Sequence, residues 1–182
     1  MKPQHRGLCP GFSRVRREIE PRWVSEYVSN TYAQYKHAYR VPLGSIPEEI
    51  TKIYGATKGR RVYRPSRPEV DAMIWTNKFL VLLEGKIFKI MDGIAKLPVY
   101  KSLVPVTPEL EEWRGTPIRM ELLCVQPLPW VQEAADRAGV NVIKWAPRWI
   151  QEIWQERDKY WTPEAVEKRE ERKKVLRSLG FD

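Results

Sequence analysis

The chain has 182 residues, enough for one domain with a hydrophobic core of its own, and 32 Lys and Arg against 23 Asp and Glu give a formal net charge of +9. That excess favours polyanionic partners, nucleic acid before anionic membrane, and no uncharged apolar stretch is long enough to span a bilayer. The two cysteines, Cys9 and Cys124, have neither zinc-site spacing nor a disulfide framework, and the basic start lacks the apolar core of a signal peptide. The expected setting is therefore reducing: cytoplasmic or, for a viral protein, intracellular or within a virion.

In chain order, residues 1–20 mix prolines and glycines with arginines and read as a basic arm. From Pro21 the spacing predicts a helix, with Trp23, Val24, Tyr27, Val28, Thr31, Tyr35 and Ala38 on one stripe, broken at "VPLG". "SIPEEITKIYG" predicts a short helix capped by Ser45 and ended by Gly55. "KGRRVYRP" is β-prone and is the expected first strand. "PEVDAMIWTNKFLVLLEGK", residues 68–86, predicts a hairpin of two apolar runs about "TNK". Next come a helix over "MDGIAKLPVYKSLV", which Pro98 would kink or delay, and a connector with a helical turn over "TPELEEWRGTP". "IRMELLCVQP" predicts a buried strand, "LPWVQEAADRAG" a helix stopped by Gly139, and "VNVIKWAP" another strand. Two charged helices finish the chain. The expected organisation is the arm, an α/β core over 21–147 with a mixed sheet around a central antiparallel hairpin, and a helical extension over 148–182.

The hairpin carries its charges at the open end. With Asn77 and Lys78 as a two-residue loop, Asp71 lies opposite Glu84 and Glu69 opposite Lys86, all four on one face. A three-residue loop would shift that register by one. Two opposed carboxylates raise one another's pKa or recruit a cation. A hard ion such as Mg²⁺ needs only one or two protein carboxylates, to which the Gly85 carbonyl adds an oxygen. Lys86 beside such an ion is placed to orient or deprotonate water, or to stabilise a pentavalent phosphate. The plainer reading is a surface hairpin with an ordinary Glu69–Lys86 ion pair.

Asp71, twelve residues, then Glu84-Gly85-Lys86 resembles the PD-(D/E)XK nuclease superfamily, and the order helix, strand, helix, strand after the hairpin extends the likeness over residues 45–147. "P-E-V-D" departs slightly from that family's proline-aspartate pair. The resemblance implies a restriction-endonuclease-like fold in which Asp71, Glu84 and the Gly85 carbonyl hold Mg²⁺ or Mn²⁺ and Lys86 serves catalysis. Lys96 stands near the place of a glutamine common in the following helix, and an upstream glutamate is implied, either Glu20 or Glu49. The acid-x-lysine motif alone is weak, since Glu171-Arg172-Lys173 matches it too; its placement at a strand end gives it value.

Arg60, Arg61, Arg64 and Arg67 before the hairpin, with Lys89 and Lys96 after it, are candidates for phosphate contacts, the alternative being a solvated edge strand. Tyr100 and the eight tryptophans read as core or interface rather than base-stacking platforms, and His5 and His37 have no partner at metal spacing. "EKREERKK" reads as a solvated helix face, with the C-terminal helices a possible contact for a protein partner or a second copy. The leading expectation is a metal-dependent phosphodiesterase cleaving nucleic acid, DNA favoured. The alternatives are a catalytically retired nuclease-like module with a structural or assembly role, as in a phage particle, and a metal-free basic nucleic-acid-binding protein.

Overall fold

The computed structural model describes residues 11–159 and 163–178. The chain divides into two compact units, Met1–Trp145 and Ala146–Asp182. The first contains α1 (Gly11–Thr31), β1 (Lys36–Pro42), α2 (Glu48–Tyr63), β2 (Glu69–Trp75), β3 (Leu80–Lys86), α3 (Ile90–Leu103), β4 (Ile118–Cys124), α4 (Pro129–Arg137) and β5 (Val140–Lys144). The second contains α5 (Arg148–Lys159) and α6 (Pro163–Ser178).

The five strands form one sheet in the order β1-β2-β3-β4-β5. β1, β2 and β3 are antiparallel neighbours, whereas β4 and β5 join parallel to β3. Tight turns suffice for antiparallel pairs, and parallel pairs need crossovers, which α3 and α4 supply. This is the expected α/β class: a mixed sheet about a central antiparallel hairpin, flanked by helices. β3 is the central strand and is buried along its whole length, which explains its unbroken "LVLL" run. On one face Met73, Leu80, Leu82, Met120, Leu122 and Val140 pack with Ile94, Leu97 and Tyr100 of α3 and Val131 and Ala135 of α4. α1, with Trp23, Val24, Tyr27 and Val28 buried, also packs on β3.

The hairpin pairs Trp75 with Leu80 and Ala72 with Leu83, the register set by a two-residue loop at Asn77 and Lys78. Thr76 fixes that loop: its hydroxyl accepts the N–H groups of Lys78 and Phe79 at 3.3 and 3.1 Å and donates to the Phe79 carbonyl at 2.7 Å. α3 runs continuously with Pro98 inside it.

Three local expectations are corrected. α1 begins at Gly11, within the stretch read as an arm, and passes through Pro21 rather than starting there; residues 1–10 lie outside the described ones. Residues 36–42, whose start the helical spacing assigns to the end of that helix, form β1. Pairing with β2 along almost all of its length outweighs the weak helical spacing of Tyr35 and Ala38. "KGRRVYRP" is not a strand but the second half of α2 followed by a 3₁₀ turn at Arg64–Ser66. Gly55, with φ of 74°, does break the helix as expected, but a helical segment resumes beyond it. Gly59 is buried in that segment, against Ile50.

Candidate functional site

The start of β2 and the end of β3 lie side by side, and the backbone ladder between them stops at Ala72–Leu83. One step further, the Asp71 side chain replaces the backbone partner: its Oδ2 accepts the Gly85 N–H at 3.0 Å. Glu84 and Lys86, two residues apart on β3, point to one face. Lys86 Nζ lies 3.1 Å from Glu84 Oε1, 3.6 Å from Asp71 Oδ2 and 3.5 Å from Glu20 Oε2. Glu20 comes from α1, and its other oxygen accepts the Ile87 N–H at 3.1 Å. From the α3 side, Lys96 Nζ stands 3.5 Å from Glu84 Oε1.

Burial sets the electrostatics. Glu84 is 1% exposed; desolvation, reinforced by the Asp71 charge, raises its carboxyl above the usual range, and Lys86 and Lys96 only partly offset this. Burial would depress the Lys86 ammonium, but the carboxylates of Asp71, Glu84 and Glu20 together outweigh it and hold that group above the ordinary lysine value. The Tyr100 phenol of α3 is raised by burial and by the Glu84 and Asp71 charges.

One carboxylate oxygen is left over. Glu84 Oε2 is buried without a hydrogen-bond partner, a costly condition for a carboxylate oxygen unless a further group engages it. An oxygen-only donor pair, Asp71 with Glu84, suits a hard divalent cation that completes its shell with water and phosphate. The fit goes no further: among the described residues no three His, Cys, Asp or Glu side chains form a ready-made metal cage. The Gly85 carbonyl, expected as an additional ligand, accepts Lys86 Nζ at 3.0 Å.

Two glycines allow the helices this close. A Cβ on Gly85 would sit 2.4 Å from Val24 Cγ2 of α1, so the close approach served by this glycine is that of a helix. A Cβ on Gly93 of α3 would sit 2.4 Å from Leu122 Cδ1 and 3.2 Å from Lys86 Cγ.

Of the residues singled out in the sequence, Asp71, Glu84, Gly85, Lys86 and Lys96 come together. Glu20 joins them, whereas Glu49 is exposed on α2. The expected Glu69–Lys86 pair is replaced, because Glu69 binds Arg40 and Arg64 at 3.1 and 3.0 Å. Arg67 is not a phosphate ligand: its guanidinium is buried, holds Glu109 at 2.7 and 2.8 Å and donates to the Pro42 carbonyl at 3.2 Å. Arg60 and Arg61 are exposed on α2, and Lys89 is exposed just before α3. Trp23 is fully buried and Trp75 packs near Trp113, as core packing requires; His5, Cys9 and Trp161 lie outside the described residues. Cys124 is buried and its thiol is pushed up to about 11, which makes it a poor nucleophile. Arg40 gives no signal in the sequence, being a lone arginine in a weakly patterned strand.

No protein-family profile matches the sequence, and no curated protein matches it. Among solved structures, a repair endonuclease from Pyrococcus abyssi is similar at 16% identity with a TM-score of 0.43. The overlap covers 80% of this chain and 50% of that one, so the chain spans about half that protein's length. A likeness of this extent identifies neither a family nor an activity for the present chain.

Proposed function

We propose that the chain is a metal-dependent phosphodiesterase of the PD-(D/E)XK type that cleaves nucleic acid, with DNA the favoured substrate. One observation carries the reading: the carboxylates of Asp71, Glu84 and Glu20 converge on the Lys86 ammonium where β2 meets β3, with a buried Glu84 oxygen still unpartnered. Asp71 and Glu84 would hold Mg²⁺ or Mn²⁺, an ion that, when bound, supplies a nucleophilic water and neutralises charge at phosphorus. Glu20, bonded to the Ile87 N–H as well as to Lys86, fixes the chain leaving β3 and steadies the ammonium. Lys86 would donate to a phosphate oxygen as negative charge builds there, and the half-exposed Lys96 adds a second cation beside Glu84.

A second reading has an observation of its own. Lys86 and Lys96 already neutralise Glu84 without any ion, as suits a retired nuclease-like module that binds nucleic acid and does not cut it. Cleavage of plasmid and single-stranded DNA with Mg²⁺ or Mn²⁺ separates the two. The proposal expects wild-type cleavage that chelator abolishes and that Lys86→Ala lowers by about a hundredfold or more. Equal cleavage by both proteins would place the chemistry elsewhere. Inert proteins that still bind DNA would leave the retired module as the account.

A further inference from the structure

β1 breaks its ladder with β2 at one residue. Tyr39 pairs with Ala72 and Val41 with Val70, while Arg40, between them and opposite Asp71, is skipped. Its φ of 53° is the only left-handed value at a non-glycine among the described residues. A side chain there is strained, and such conformations persist only where the surroundings fix them. The fixing group is Glu69. Its two carboxylate oxygens take the Nε of Arg40 at 3.1 Å and the Nε of Arg64 at 3.0 Å, and a terminal nitrogen of Arg64 donates to the Arg40 carbonyl at 2.8 Å.

This arrangement does little for stability. The Arg40 side chain is 73% exposed, and ion pairs at that exposure contribute little, too little to offset a strained backbone. What the arrangement does is aim. With Nε committed to Glu69, the terminal nitrogens of Arg40 make no hydrogen bond to any described residue and, on a side chain this exposed, leave a planar donor edge open to solvent. Two arginines against one glutamate leave the cluster net positive. Arg40, Tyr39, Pro21 and Asp71 line one cleft of about 200 Å³, so Arg40 and Asp71 border the same opening.

We propose that Arg40, clamped by Glu69 and Arg64, forms a phosphate-binding cradle that holds the nucleic-acid backbone in the cleft it shares with Asp71. The inference rests on the nuclease reading for the identity of the ligand. Arg40 touches the phosphate; Glu69 and Arg64, which hold its side chain and its carbonyl, are positioning residues. Backbone contacts of this kind set register and orientation without reading sequence.

The test is anisotropy of a short fluorescent DNA, duplex and single-stranded, titrated in chelator over a range of salt, alongside thermal melting of each protein. Glycine is at ease in the left-handed region, so Arg40→Gly keeps or raises the melting temperature while weakening binding by about tenfold and lowering the salt slope by about one. Arg40→Lys keeps the charge but not the fork, restoring the slope and only part of the affinity. Lys101→Ala, an exposed control on α3, binds as wild type. A lower melting temperature for Arg40→Gly with unchanged affinity and slope would make the cluster a structural clasp and overturn the cradle, as would a wild type that binds neither DNA. Because binding is read without metal, the two readings fail separately. A wild type that never cuts but loses binding on Arg40→Gly keeps the cradle and removes the nuclease. A wild type that cuts, with Arg40→Gly cutting and binding equally well, removes the cradle alone.

Discussion

Two acidic side chains of the first unit, Glu84 and Glu121, are buried and a third, Glu109, is partly covered by a buried arginine; each is accommodated differently. Glu121 on β4 is fully buried, and burial raises its carboxyl; the Tyr32 hydroxyl at 2.8 and 2.9 Å and Arg119 at 3.0 Å oppose the shift and leave neither oxygen unmatched. Glu109 is only partly covered. Desolvation would raise its carboxyl, but hydrogen bonds and charge from Arg67 outweigh it and hold the group below the usual carboxylate range. Glu84 alone keeps an oxygen without a partner, and that contrast marks it as the acid awaiting another ligand. The Glu109–Arg67 pair gives a prediction free of the site. With the folded value lowered, its contribution is present above the unfolded carboxylate pKa and is lost as pH falls through the folded one. Glu109→Ala, which strands a buried guanidinium, is expected to cost about 3 kcal/mol at neutral pH and to flatten the acid side of the stability profile, measured by urea melts across pH.

At the scale of elements, the site depends on how closely α1 approaches β3. Val24 occupies the space where a Gly85 Cβ would be, and the same helix delivers Glu20 to Lys86. Gly85→Ala is therefore expected to destabilise the protein by about 1–3 kcal/mol. Adding Val24→Ala should recover part of that loss, the coupling being read from denaturant melts of a double-mutant cycle. What the sequence disclosed follows the range of the interactions. The hairpin register was legible because alternation and a two-residue loop are local, and Asp71, Glu84 and Lys86 came with it. β1 was not, because "KHAYRVP" is a weak pattern made a strand by β2. "KGRRVYRP" looked extended, yet nothing pairs with it and it stays helical on the surface. Glu20 and Glu49 had equal standing until the fold brought one of them to Lys86. Glu69 and Arg67 had plausible partners in the sequence and found different ones, since Arg40 and Glu109 approach only in the folded chain.

For the whole molecule, the +9 charge has a spatial counterpart in the first unit. Arg40 and Arg64 sit beside the acid cluster on Glu69, and Arg60 and Arg61 extend the exposed basic surface along α2. Among the described residues no helix is long and apolar enough to cross a membrane. A basic surface around a small acidic centre suits a phosphodiester held from outside and attacked within, and it makes the acidic centre the decisive feature. Calorimetric titration with Mn²⁺ tests that centre most directly, without requiring turnover. The account predicts one site in the wild-type protein, weakened at least about tenfold by Asp71→Asn and by Glu84→Gln, each of which removes a carboxylate ligand. It also predicts that Lys86→Ala binds Mn²⁺ more tightly, because the ammonium now lying among the three carboxylates no longer competes. A wild type that takes up no Mn²⁺, or uptake indifferent to Asp71 and Glu84, would contradict it and leave the cluster a salt bridge in the shape of an active site.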